Sequence, residues 1–188
     1  DFEHELIQPR YLERIISWGG ALGGINSTLN HGNLQASGID VIALGPKFSI
    51  SILVRDAFQS SAEIEQVAKR TAKDAGSFNM ESCGSSRFHF VQASPGQAME
   101  YARRLYDHMQ HQDPSLSAMP KNFPADLRDE INATRAQDDF YYVVGGDRNE
   151  GAVVVSLTGE LPDFFPMHKV VVVIPFDDPL QLVDRIHP

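Results

Sequence analysis

One cysteine occurs in the 188 residues, and its neighbours make it a candidate for covalent chemistry. Cys83 lies in Ser77-Phe78-Asn79-Met80-Glu81-Ser82-Cys83-Gly84-Ser85-Ser86-Arg87-Phe88-His89-Phe90-Val91. An amphipathic stretch precedes it, small residues follow it, and a β-type run comes next. At such a helix-to-strand junction a thiolate can reach a substrate carbonyl. The same setting also suits an idle, half-buried cysteine, because free Cys packs as a small hydrophobe.

Other residues compete for a role. His89 lies six residues beyond Cys83, and a Cys-His dyad would define a hydrolase. The plainer reading is a histidine packed on a strand. Gly19-Gly20 ends a short apolar run, and glycines after a strand let backbone approach a cofactor. The spacing of Gly20, Gly23 and Gly24 departs from G-x-G-x-x-G, so a plain turn is the alternative. Gly45-Pro46-Lys47 reads as a strand-ending turn with a solvated lysine. His108 and His111, at i and i+3, could face a metal, but no matching carboxylate pattern accompanies them. They read as a solvated face, and no metal is expected.

Bulk properties narrow the classes. The chain length suits one domain or slightly more, and 42% hydrophobic residues suffice for a core. A net charge of −9 argues against a nucleic-acid surface. A single cysteine excludes an internal disulfide and fits a reducing, cytoplasmic setting. No apolar run approaches the roughly 18 residues of a spanning helix. The first residue is Asp1 and nothing reads as a signal peptide, so a domain of a longer chain is expected.

The elements that would position Cys83 alternate. Strands are expected over residues 12–18, 39–44 and 49–54, the last two as parts of a covered sheet. Residues 60–75 carry a 3.6-residue stripe of Ile64, Val67, Ala68, Thr71, Ala72 and Ala75. Ser60 and Glu63 form a capping box, and Gly76 is expected to close the helix at C′. A strand over 87–92 and a helix over 96–109 follow, the helix burying Ala98, Tyr101, Ala102, Leu105 and Met109. After a loop over 111–124 comes a helix over 125–136, with Leu127 and Ile131 inward. A hairpin pairs 140–144 with 152–157 around a glycine-rich loop. The aromatics Phe140, Tyr141 and Tyr142 are expected in core and hairpin packing. A β-branched strand over 169–174 and a helix from Pro179 to Ile186 complete an α/β fold. Its mixed or parallel sheet is expected between helical layers.

Three segments, taken in order, resemble the aldehyde dehydrogenase superfamily. Ala43-Leu44-Gly45-Pro46-Lys47-Phe48-Ser49 is similar to the strand-turn that opens its catalytic domain. The helix, Cys83 and Ser86-Arg87 resemble its nucleophile segment. Val170 to Asp178 resembles its later strand-to-helix segment. The Gly-Pro-Lys-x-Ser wording and the serine-rich residues after Cys83 most resemble the acyl-CoA reductase branch, which includes LuxC-type fatty acyl reductases.

The resemblance spans about residues 14–186 and implies a chemistry. A Cys83 thiolate would take an acyl group from a CoA thioester, and hydride from NADH or NADPH would release an aldehyde. The Cys83 N–H would be one oxyanion donor, and an asparagine outside the chain the other. Asp163 falls near a superfamily glutamate that touches the cofactor ribose, although a loop carboxylate is the simpler reading. Ala43 stands where aldehyde-oxidising members carry the glutamate that activates water, and alanine takes no proton. Met80-Glu81-Ser82 replaces the usual residues before the nucleophile, and Glu81 is a candidate local acid or base. Residues 1–38 would be the end of a cofactor-domain segment with Gly19 and Gly20 near the nicotinamide. Residues 39–188 would be the catalytic domain. Superfamily members pair through this region, so a homo-oligomer is expected. The alternatives are a non-catalytic domain for oligomer or partner contacts and an aldehyde-oxidising dehydrogenase.

Overall fold

The structure is a computed structural model that describes residues 11–18, 31–44, 49–115, 117–118 and 123–186. The chain forms two compact units that divide between Lys47 and Phe48.

In the first unit, strand β1 (Arg14–Trp18) pairs in parallel with β2 (Asp40–Leu44). Between them lies a short helix, α1 (His31–Ala36), which the pattern reading did not foresee. Its end is a Schellman turn. Gly38 has a φ of +82°, its N–H bonds the Gln35 carbonyl, and the Ile39 N–H bonds the Leu34 carbonyl. Leu34 and Ile39 meet in the small core of this unit. Ser37-Gly38 before an apolar residue was the available signal. Gly19, Gly20, the small-residue segment after them and Gly45-Pro46-Lys47 lie outside the described residues.

The second unit is a three-layer α/β structure. Its sheet runs in the order β3 (Ser49–Leu53), β4 (Ser86–Val91), β7 (Val170–Pro175), β6 (Ala152–Ser156), β5 (Tyr141–Gly145). All neighbours are parallel except the β5–β6 hairpin. Helices cover both faces of β7, which explains its unbroken Val-Val-Val-Val-Ile. One face receives α2 (Ser61–Gly76) and α3 (Pro95–Gln110), which pack against Val153, Val155, Val171 and Val173. The buried face of α3 is the predicted set of Ala98, Tyr101, Ala102, Leu105 and Met109. The other face receives α4 (Ala125–Arg135), through Leu127 and Ile131, and α5 (Pro179–Ile186), through Leu182. Among the described residues, no helix is long and apolar enough to cross a membrane.

Several local expectations change. β2 pairs with β1, and β3 is an edge strand with Ile52 half exposed, so neither lies in a fully covered sheet. The expected first strand begins at Arg14 and leaves Ile16 exposed. Ser60 caps α2 by accepting the Glu63 N–H, but its hydroxyl donates to the Glu63 carboxylate, which gives half of a capping box. The complete box caps α3 instead, between Ser94 and Gln97. Gly76 is the last helical residue of α2, not C′: its φ is −84°, and Ser77 is the cap. The Gln112 side-chain amide fills the space where a Cβ would sit at Gly76, so glycine there admits that side chain rather than a left-handed backbone. Phe140 is exposed, while Tyr141 and Tyr142 pack against opposite faces of the sheet.

Candidate active site

The Cys83 turn is built from the end of α2. After Gly76 the chain turns sharply over Ser77–Met80, where three consecutive residues take left-handed backbone. Phe78, Asn79 and Met80 have φ of 55°, 54° and 65°. Left-handed backbone costs a non-glycine residue roughly 1–2 kcal/mol, so the surroundings must hold this run in place. Four contacts do so. The Met80 side chain is fully buried in the α2/α3 core. The Met80 carbonyl accepts from Arg87 Nη2 at 2.6 Å. The Asn79 side chain accepts the Ala118 N–H at 2.9 Å. The Ser85 hydroxyl donates to the Ser77 carbonyl at 3.3 Å.

Cys83 stands on this turn as an exposed free thiol. Its carbonyl accepts from the Ser49 hydroxyl at 2.9 Å. The Gly84 N–H bonds the Ser82 hydroxyl, and the Ser85 N–H bonds the Ser82 carbonyl. Among the described residues, no acceptor takes the N–H of Cys83. That donor is free for an oxygen that gains negative charge beside the thiol. The serine at the end of Gly-Pro-Lys-x-Ser therefore holds the Cys83 turn, a contact the sequence reading did not identify. The β3–β4 register shifts between Ser49 and Ile50, an irregularity of the kind found beside active sites.

Arg87, the second residue of β4, turns back under the loop. It is buried, donates to the Met80 carbonyl and, at 3.0 Å, to the Pro166 carbonyl. Its guanidinium lies 5.4 Å from the centre of the Phe165 ring. Burial lowers its pKa, and among the described residues no carboxylate pairs with it.

The remaining candidates take other places. His89 is fully buried, with Nδ1 bonded to the Tyr101 hydroxyl at 2.7 Å and Nε2 without a partner. Burial depresses its pKa to about 4. It forms no dyad with Cys83. Tyr101 also bonds Thr71, so three polar groups close a small network between β4, α3 and α2. His108 bonds the Glu65 carboxylate at 2.7 Å, and His111 bonds the Asp107 carbonyl. Both border a cleft of about 400 Å³, with Lys69, Lys73 and Gln112, at the C-terminal ends of α2 and α3. Cations there offset the helix-end carbonyls, so their presence is explained without a ligand. No group of three metal-ligating side chains occurs among the described residues. Asp163 is an exposed loop carboxylate on a second cleft, near Phe165 and His168. Glu81 is exposed at the start of the turn and makes no ion pair among the described residues.

An α/β sheet order of this kind, with a cysteine on a braced turn between helix and strand, defines the class. The fold is that of the aldehyde dehydrogenase superfamily. The chain is similar to an aldehyde dehydrogenase from Bacillus cereus, solved with NAD+, at 13% identity and a TM-score of 0.62. That match covers 97% of this chain and 39% of the other. Betaine aldehyde dehydrogenase of Staphylococcus aureus, solved with NAD+, gives 13% identity and a TM-score of 0.62 over 98% of this chain and 39% of that one. NADP-dependent glyceraldehyde-3-phosphate dehydrogenase of Bacillus halodurans gives 12% and 0.61, over 97% of this chain and 38% of that one. The chain thus spans about two-fifths of the length of these structures. Comparison with curated proteins finds no match. Within the superfamily, the chain belongs to the acyl-CoA reductase (LuxC) family, whose model matches residues 10–188.

Proposed function

We propose that this chain is the nucleophile-bearing part of an enzyme that reduces an acyl thioester to an aldehyde, with Cys83 as the acyl carrier. The observation that carries the reading is the exposed Cys83 thiol on a braced turn whose own N–H is unengaged. Membership of the acyl-CoA reductase family supports the substrate class.

In this reading the Cys83 thiolate attacks the thioester carbonyl. Charge builds on the carbonyl oxygen, and the Cys83 N–H donates to it. Collapse breaks the bond to the CoA sulfur, CoA leaves as a thiolate, and the acyl group remains on Sγ as a new thioester. The fixed turn keeps Sγ and N–H in one geometry through both steps, so little reorganisation is needed at reaction. A nicotinamide cofactor would supply the hydride that turns the enzyme thioester into an aldehyde. Among the described residues, the buried polar atoms without partners, on His89, Gln112, Ser117, Arg135 and Ser156, are all outside the Cys83 turn. Gly19 and Gly20 are the proposed approach to the nicotinamide. Ala43 in place of a water-activating glutamate favours thiol exchange over hydrolysis to a free acid.

The test is intact mass after incubation with acyl-CoAs from acetyl to long-chain, in the full-length protein. One acyl mass on Cys83, absent in Cys83→Ala, is expected. No adduct from any donor in the full-length protein would refute the reading and leave a domain that serves contacts only.

A further inference from the structure

We propose that Arg87 is the positioning residue of the nucleophile turn, and that it ties the placement of Cys83 to the loop around Phe165. This rests on the reading of Cys83 as the acyl carrier. The geometry is specific. One guanidinium spans two segments far apart in sequence, donating to the Met80 carbonyl at 2.6 Å and the Pro166 carbonyl at 3.0 Å. Its central carbon lies over the Phe165 ring, 5.4 Å from the centre.

A buried guanidinium costs free energy unless its donors are met, and carbonyls rather than a carboxylate meet these. The acceptor on the turn is Met80, the last of the three left-handed residues. With that carbonyl released, the run can relax toward ordinary backbone, and the Cys83 thiol and N–H swing with it. Arginine suits this place because its planar fork reaches both acceptors at once, whereas the single ammonium of lysine reaches one. Phe165 is about half exposed, so a ligand that presses on the ring would act on the turn through Arg87.

Acylation of Cys83 in the full-length protein, followed by peptide mass, tests the proposal in Arg87→Lys and Arg87→Met. A displacement of order 1 Å at a reacting atom costs up to roughly 100-fold in rate. We therefore expect the acylation rate constant to fall about 10- to 100-fold, with a change of less than about threefold in half-saturating thioester. Amide hydrogen exchange over residues 78–85 should rise in the same variants. Leu182→Ala, in the core beneath α5, serves as a control for stability alone. The proposal is overturned if folded Arg87 variants acylate at the wild-type rate. It is also overturned if Leu182→Ala, at a matched loss of thermal stability, loses acylation to the same degree. Where Arg87→Met fails to fold, Arg87→Lys decides. A wild-type protein that takes no acyl group refutes the reading of Cys83 instead.

Discussion

His89 makes the second unit acid-sensitive, and the size of the effect can be worked out from its surroundings. The ring is fully buried between β4, α2 and α3, and its Nδ1 bonds the Tyr101 hydroxyl. Desolvation penalises the imidazolium and lowers the folded pKa from 6.5 to about 4. The unfolded chain takes up a proton near pH 6.5, but the folded chain does so only near pH 4. Stability from the neutral ring is complete above about pH 6.5 and lost as pH falls through this window. At roughly 1.4 kcal/mol per pKa unit, the full loss is about 3 kcal/mol, of which about 2 kcal/mol falls between pH 7 and pH 5. His89→Asn keeps a polar atom near the Nδ1 position for Tyr101 but does not titrate. Urea unfolding of both proteins at pH 7 and pH 5 is the assay. The variant should be less stable at pH 7 and lose about 2 kcal/mol less than wild type on acidification. Proton titration of the His89 ring by NMR should give a midpoint well below 6. Equal losses in the two proteins would refute the reasoning, because the other titrating groups are common to both.

Leu105→Ala removes a fully buried side chain from the α3 face against the sheet and should cost about 2–5 kcal/mol in urea unfolding, with little change in the Cys83 turn. Gly145→Ala should cost at least about 2 kcal/mol: its φ is +79°, and the Tyr106 ring occupies the space a Cβ needs. A loss of less than half that would show that the hairpin end relaxes freely.

Much of this architecture was legible in the chain. The α3 stripe, the α4 contacts and the β5–β6 hairpin follow from period and turn chemistry, because each depends on neighbours within a few residues. The valine-rich run of β7 announced a strand for the same reason, and its burial on both faces came only with the helices that cover it. Cys83 stood out by being alone between a helix and a strand. By contrast, the end of α2 was misread. Glycine after a helix usually marks a left-handed cap, but here Gln112, from beyond α3, claims the space and the left-handed residues come later.

What the sequence by itself determined was the set of local elements and the segment that carries the thiol, since periodicity and composition act at short range. Tertiary structure alone decided which side chains hold that segment. Ser49 reaches Cys83 across 34 residues, and Arg87, which also holds Met80, reaches Pro166 across 79. It also decided that His89, six residues from the thiol, is a buried neutral ring bonded to Tyr101. These are contacts between strands and loops distant in sequence. No local pattern encodes them, because they exist only once the parallel sheet has closed and the helices have covered it.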